Sequence, residues 1–165
     1  MKNIVKTAAA LALLAGASQA FAAEVTDTIQ VTATINSACT IDSAADLVFP
    51  ATDTTTLASA AQTATADIAV TCSNGTAVQV GLSGGTSGDV NARVLTHTDG
   101  TSTLTYGLFT DAGLTTNWGN TPGNDTQDYA SDGTTQTLTI HGQLDAQTAP
   151  IIGDYSDTVT VTVTY

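Results

Sequence analysis

The chain has 165 residues, with 15 acidic side chains against three Lys or Arg, a formal net charge of −12 and two cysteines. That balance repels phosphate backbones and anionic lipid, which argues against nucleic-acid binding and attachment to a membrane surface. All the acids but Glu24 are Asp, spread along the chain, a pattern that suits turns and solubility.

Lys2 and Lys6 precede an apolar stretch from Thr7 to Ala17, and the small-residue run Ser18-Gln19-Ala20-Phe21-Ala22-Ala23 follows. Charge, a short apolar run and then small residues is the anatomy of a secretory signal. The run is too short for a bilayer, which needs about 20 apolar residues. Ala20-Phe21-Ala22 fits the cleavage rule, so residues 1–22 are read as a signal peptide and Ala23 as the mature start; Ser18-Gln19-Ala20 is a second fit. Cleavage leaves 143 residues, one ordinary domain, with Arg93 alone against 15 acids, a balance of −14. No later segment is apolar enough for membrane insertion. In an exported chain, Cys39 and Cys72 read as a disulfide. The chain-entropy estimate for a loop of about 33 residues is roughly 3–4 kcal/mol. No cofactor and no metal are expected, because neither His97 nor His141 lies near the cysteines.

From Ala23 onward no segment has helical periodicity, Thr is the dominant residue, and β-branched Thr and Val favour pleated, half-buried surfaces. Val25, Ile29, Val31, Ala33 and Ile35 share one face of an alternating run, opposite Thr26, Thr28, Gln30, Thr32 and Thr34. Residues 51–65, rich in Thr and Ala without an apolar period, read as a surface connection. Ile68, Val70 and Cys72 alternate with polar or small residues. So do Val78, Val80 and Leu82; Leu104, Tyr106 and Leu108; and Leu138 and Ile140. Val159, Val161, Val163 and Tyr165 alternate with threonines in the final run. Turn signals separate these runs, among them Ser73-Asn74-Gly75, Gly84-Gly85, Asp99-Gly100, Pro122-Gly123 and Asp132-Gly133. Many short strands without a helix predict an all-β, immunoglobulin-like antiparallel sandwich.

Two features are unusual for a self-contained sandwich. The final alternating run, Asp157 to Tyr165, has neither Lys nor Pro, the residues that blunt exposed edges. The run from Val25 to Ile35 is long, regular and precedes the first cysteine.

Three stretches carry a resemblance to the spore coat protein U domain family, which includes subunits of archaic (Csu-type) chaperone–usher pili. They are Asn36-Ser37-Ala38-Cys39-Thr40-Ile41 with Val70-Thr71-Cys72; Tyr106-Gly107-Leu108-Phe109-Thr110-Asp111 continuing to Trp118-Gly119; and the ending from Gly153 to Tyr165. The resemblance implies an incomplete sandwich completed by a donor strand. A periplasmic chaperone lends a strand during folding, and at an outer-membrane usher the N-terminal extension of the next pilin subunit replaces it, a form of β-augmentation. A head-to-tail contact of this kind propagates a filament.

On that reading the chain divides into the signal peptide 1–22, a donor-strand extension 23–35 and a pilin domain 36–165. Val25, Ile29, Val31, Ala33 and Ile35 fill a neighbour's groove, alternate positions being apolar because strand side chains point to opposite faces. Their burial is worth on the order of 8–12 kcal/mol as an upper bound. Asp27 has the inward parity yet is charged, so insertion begins after it or it sits at the groove mouth. Ile35 can belong to the donor or to the domain's own first strand. Val159, Val161, Val163 and Tyr165 form the acceptor edge, and Cys39–Cys72 staples the first strand to the second. The expected product is a non-enzymatic structural subunit, exported to the periplasm and then to a cell-surface pilus, that supports attachment and biofilm formation. The competing reading is a secreted or coat-like protein of the same fold whose extension enters its own groove.

Other functions find less in the sequence. There is no nucleophile elbow, HExxH or framed carboxylate pair, and His141 reads as a half-buried strand histidine. Asn124, Asp125, Asp128 and Asp132 crowd one loop but match no EF-hand spacing. Trp118 is either an exposed binding aromatic or a loop anchor.

Overall fold

A computed structural model describes residues 22–165. The signal-peptide reading therefore falls, but for Ala22, outside the described residues. The chain divides into two units, one ending at Thr34 and the other spanning Ile35–Tyr165. The described part of the first, residues 22–34, has no hydrogen-bonded secondary structure, and its alternating apolar side chains are in solvent (Val25 95%, Ile29 88% and Val31 87% exposed). A lone strand has no ladder to satisfy its backbone groups, so alternation alone does not make it one.

The second unit contains nine strands: β1 (Cys39–Ala44), β2 (Gln62–Cys72), β3 (Ala77–Leu82), β4 (Arg93–His97), β5 (Thr103–Phe109), β6 (Gln127–Ala130), β7 (Thr135–Leu144), β8 (Tyr155–Ser156) and β9 (Val161–Thr164). They form a six-stranded sheet, in the order β1-β2-β7-β5-β4-β8, and a three-stranded sheet, β6-β3-β9, with every pairing antiparallel. The expected all-β sandwich is what forms. Its core comes from the predicted inward residues: Ile68, Val70 and Cys72 on β2, Val78, Val80 and Leu82 on β3, Leu104, Tyr106 and Leu108 on β5, and Leu138 and Ile140 on β7 are all buried. Cys39 and Cys72 are partners across the β1–β2 ladder and are joined by a disulfide.

One expectation is corrected. The stretch 51–65 is not a plain connection: it holds a short helix, α1 (Thr54–Ser59), and β2 already begins at Gln62. Asp53 caps the helix by accepting hydrogen bonds from the Thr55 and Thr56 amides, and Leu57 anchors it in the core. Threonines are poor helix formers, so cap and anchor outweigh propensity here. β2 extends to Gln62 because β7 continues to Leu144 and pairs with it residue by residue.

Strand register gives the sandwich two ends. Cys39, Cys72, Ala77 and Thr164 cluster at one, the disulfide end, since Cys39 faces Cys72 and Gln79 faces Thr164. Gln62 faces Leu144, which faces Tyr106, toward the other end. The loops that carry α1 and residues 145–154 lie there.

Candidate functional site: an open cleft between the sheets

β9 hydrogen-bonds to β3 on one side, and among the described residues no strand pairs with its other side. Beside that edge a cleft of about 1000 Å³ opens between the two sheets. Its floor is apolar, with Ile68, Leu82, Leu104, Tyr106, Leu108, Ile140 and Leu144 contributing from four strands. One wall is Val159 and Val161, which continue the inward parity of β9. The opposite wall is the segment after β1. There Leu47 and Phe49 point inward and half-buried while Val48 between them is 75% exposed. Gly142 on β7 makes room for this wall: a Cβ there would sit 2.8 Å from Leu47 Cδ1 and 3.2 Å from Phe49 Cζ. Phe49 packs edge-on against Tyr106, with ring centroids 6.4 Å apart.

A polar tie closes the start of β9 onto the other sheet. The Asp157 carboxylate accepts hydrogen bonds from Tyr106 Oη (2.7 Å), from the Thr86 amide and hydroxyl (2.8 and 2.6 Å) and from the Thr158 amide (2.8 Å). Burial pushes the Asp157 carboxyl up, yet these donors outweigh it and hold the group below the usual carboxylate range. Burial first, and then the Asp157 hydrogen bond, push the Tyr106 phenol above its ordinary range. The tie needs a glycine at position 85, where φ is +63° and a Cβ would overlap the Asp157 carboxylate.

Beneath the cleft lies Arg93, fully buried, the only Lys or Arg among the described residues. Its guanidinium donates to four main-chain carbonyls: Nε to Ser83 and Nη1 to Val90 (both 2.9 Å), and Nη2 to Leu82 (2.9 Å) and Trp118 (2.7 Å). Burial lowers its pKa, and the charges of Tyr106, Asp157, Asp125 and Asp89 oppose that shift. An arginine remains protonated in such a site. Trp118 is fully buried beside it and donates Nε1–H to the Val80 carbonyl at 2.8 Å, so it is an anchor rather than an exposed aromatic.

Of the residues expected at the acceptor edge, Val159 and Val161 line the cleft, and Val163 packs half-buried against the core. Tyr165 is 57% exposed and lies instead at a shallow depression beside β3 and β6. Of the donor set, Val25, Ile29, Val31, Ala33 and Ile35 are all exposed. The loop carboxylates serve turns. Asp125 accepts from the Thr121 amide, Asp128 from Thr126 and Gln79, and Asp132 from Thr134. His141 is half-buried on β7 opposite Thr65 and Phe109. Among the described residues no three His, Cys, Asp or Glu side chains gather as a metal site, and no helix is long and apolar enough to cross a membrane.

The sequence matches the Spore Coat Protein U domain over residues 25–162, nearly the whole described chain. The chain belongs to the Spore Coat Protein U domain family. No curated protein sequence matches it. A similar solved structure is the CsuC–CsuE chaperone–tip adhesion subunit pre-assembly complex from the archaic chaperone-usher Csu pili of Acinetobacter baumannii. The match has a TM-score of 0.60 and 25% identity, and covers 80% of this chain and 41% of that one. This Spore Coat Protein U domain thus spans less than half the length of the Csu chain it resembles. The shared part is the immunoglobulin-like sandwich.

Leu47, Phe49, Arg93 and the Asp157 tie were not legible as site residues in the sequence. Two signals were present: the alternation Leu47-Val48-Phe49, and a single arginine in an otherwise acidic mature chain.

Proposed function

We propose that this chain is a structural subunit of a surface pilus assembled by the chaperone–usher pathway through donor-strand complementation. The observation that carries the reading is the apolar cleft beside the unpaired edge of β9, in a chain that also exposes an alternating apolar segment at 25–35. Val25, Ile29, Val31, Ala33 and Ile35 of one copy supply the missing strand of the next, with Val159, Val161 and Val163 as the receiving edge. Tyr165 extends that edge. A periplasmic chaperone covers the cleft before assembly, and an outer-membrane usher exchanges it for the next subunit. The Csu complex is a chaperone–subunit pre-assembly pair, which supports a chaperone partner for this chain. Export to the periplasm and then the cell surface follows from the same reading, as do attachment and biofilm formation by the fibre.

The cleft explains why a partner is needed. Its walls leave Leu47, Phe49, Val159 and Val161 only half-buried, and covering a side chain of this kind fully is worth up to about 1.5–3 kcal/mol. A domain is stable by only about 5–15 kcal/mol, so a strand that covers these walls adds a sizeable share of that stability.

The test compares the full chain with a form lacking 23–35, each exported with the chaperone and usher. Fibres and heat-sensitive ladders on unboiled gels are expected from the full chain alone. A full chain that stays a stable monomer without chaperone, while the truncated one unfolds, overturns the proposal in favour of self-complementation.

A further inference from the structure

At the mouth of the cleft, two adjacent isoleucines stand in solvent. Ile152 is 82% and Ile151 51% exposed, and both line the cleft opening. The loop that presents them is braced: Tyr155 Oη donates to the Ile151 carbonyl at 2.8 Å, the His97 ring lies against Tyr155 with centroids 4.8 Å apart, and the Thr98 amide donates to the Asp154 carbonyl. The braced loop thus holds two isoleucines in solvent at the rim of the apolar cleft, extending its apolar surface outward.

We propose that this isoleucine lip is a docking surface for the body of the next copy of the chain, so that the subunit junction has two parts, inserted strand and lip. The inference rests on the donor-strand reading above. Three observations select a second copy as the occupant.

The first is tether length. Ala38 is fixed to the sandwich: its carbonyl accepts from the Ser73 amide at 2.9 Å and its amide donates to Ser73 Oγ at 3.0 Å. Only Asn36 and Ser37 separate it from Ile35, the last donor residue. Three residue steps reach at most ~11 Å. That is about the thickness of one packed layer, so the body that donates the strand must touch the rim where the strand leaves.

The second is direction. β1 approaches β9, and Val159 and Val161 line the cleft while Val163 and Tyr165 do not. The cleft therefore opens toward Asp157. The donor's C-terminal end must emerge toward its own body. It emerges at the open end, beside the lip, with the strand antiparallel to β9.

The third is charge. Identical copies rich in Asp meet at least cost where neither carries charge. The lip residues Ala149 to Gly153 carry no charge, and neither do residues 35–41 and the Ser73–Gly75 turn; the nearest carboxylates, Asp154 beside the lip and Asp42 and Asp132 at the disulfide end, flank them. A like-charged approach elsewhere is disfavoured.

The experiment uses the full chain with Ile152→Cys and Asn74→Cys together, assembled with its chaperone and usher and treated with a short bis-maleimide. Cross-linked ladders that survive boiling, absent from either single variant, are expected. Fibres that form without these cross-links overturn the lip interface and leave the donor-strand reading standing. Absence of fibres from the unaltered chain overturns both. Should the cysteine pair fold badly, Ile151→Ser with Ile152→Ser is the second variant. It should keep the boiling-sensitive ladder of strand exchange while the fibre's persistence length in electron micrographs falls at least twofold. An unchanged persistence length overturns the proposal.

Discussion

Replacing Arg93 with Met tests what organises the sandwich beneath the cleft. The side chain is similar in length and apolar, so little volume is lost, but four carbonyls lose their donor at once: those of Leu82, Ser83, Val90 and Trp118. Hydrogen bonds to a charged group are worth about 1.5–3 kcal/mol each, and part of that returns because a buried guanidinium is costly to desolvate. The net loss should be on the order of 3–5 kcal/mol, a large share of a typical domain's stability. Urea unfolding of the full chain, with its disulfide intact, measures it. Arg93→Lys separates charge from geometry. A lysine keeps the cation but gathers its donors on one nitrogen and cannot span carbonyls from β3, the Val90 turn and the Trp118 loop. It should fall between Arg and Met. A cost below about 1 kcal/mol for Met would refute the donor argument, because removing even one charge-assisted bond should exceed it. Full rescue by Lys would assign the effect to long-range attraction by Asp157, Asp125 and Asp89 instead.

Removing the disulfide by Cys39→Ala with Cys72→Ala should cost roughly 3–4 kcal/mol by denaturant titration, the loop-closure value for a separation of 33 residues. Gly85→Ala should cost more than about 1 kcal/mol, since it places a Cβ at positive φ and evicts the Asp157 carboxylate; a melting point equal to wild type would refute the tie. The pH profile of the melting temperature should be flat near neutrality and fall on both sides. Asp157, Asp111, Asp128 and Asp132 are held below their ordinary values, so the unfolded chain takes up protons first; their contribution is present above about pH 4 and is lost as pH falls further. Tyr106 is held above its ordinary value, so its contribution is present below about pH 10 and is lost as pH rises beyond it. A melting temperature that rises on acidification below pH 4 would contradict the first half.

What the sequence revealed divides by kind of interaction. Period-two alternation located β2, β3, β5, β7 and β9, because inward residues such as Ile68, Val80 and Leu108 bury a face that only that period can produce. It gave no warning of α1, whose helix depends on the Asp53 cap and on Leu57 reaching the core. β6 was hidden for a related reason. Gln127 and Asp128 read as loop until β3 supplies a ladder for them. The acceptor edge was legible at Val159 and Val161, but the opposite wall was not. Leu47 and Phe49 face inward only because Gly142, nearly a hundred residues later, leaves space for them. Long-range complementarity of that sort has no local signature.

Electrostatics makes a last demand on any assembly of this chain. Its one arginine among the described residues is buried, so copies meet as bodies that display carboxylates without exposed Lys or Arg. Two unit charges 10 Å apart in water repel by only about 0.4 kcal/mol. At about 10 mM salt, however, the screening length is about 30 Å, and many such pairs add; at about 150 mM it is about 8 Å and few remain. Apolar burial of the donor, on the order of 8–12 kcal/mol at most, wins in either case, but by a margin that salt controls. Binding of a peptide spanning Glu24–Ile35 to the domain 36–165 should therefore tighten as NaCl is raised, read by calorimetry on refolded domain. Glu24→Gln with Asp27→Asn in the peptide should flatten that dependence, because these are its only charged side chains. Binding that weakens with salt would mean the cleft attracts charge, and apolar insertion would no longer account for recognition.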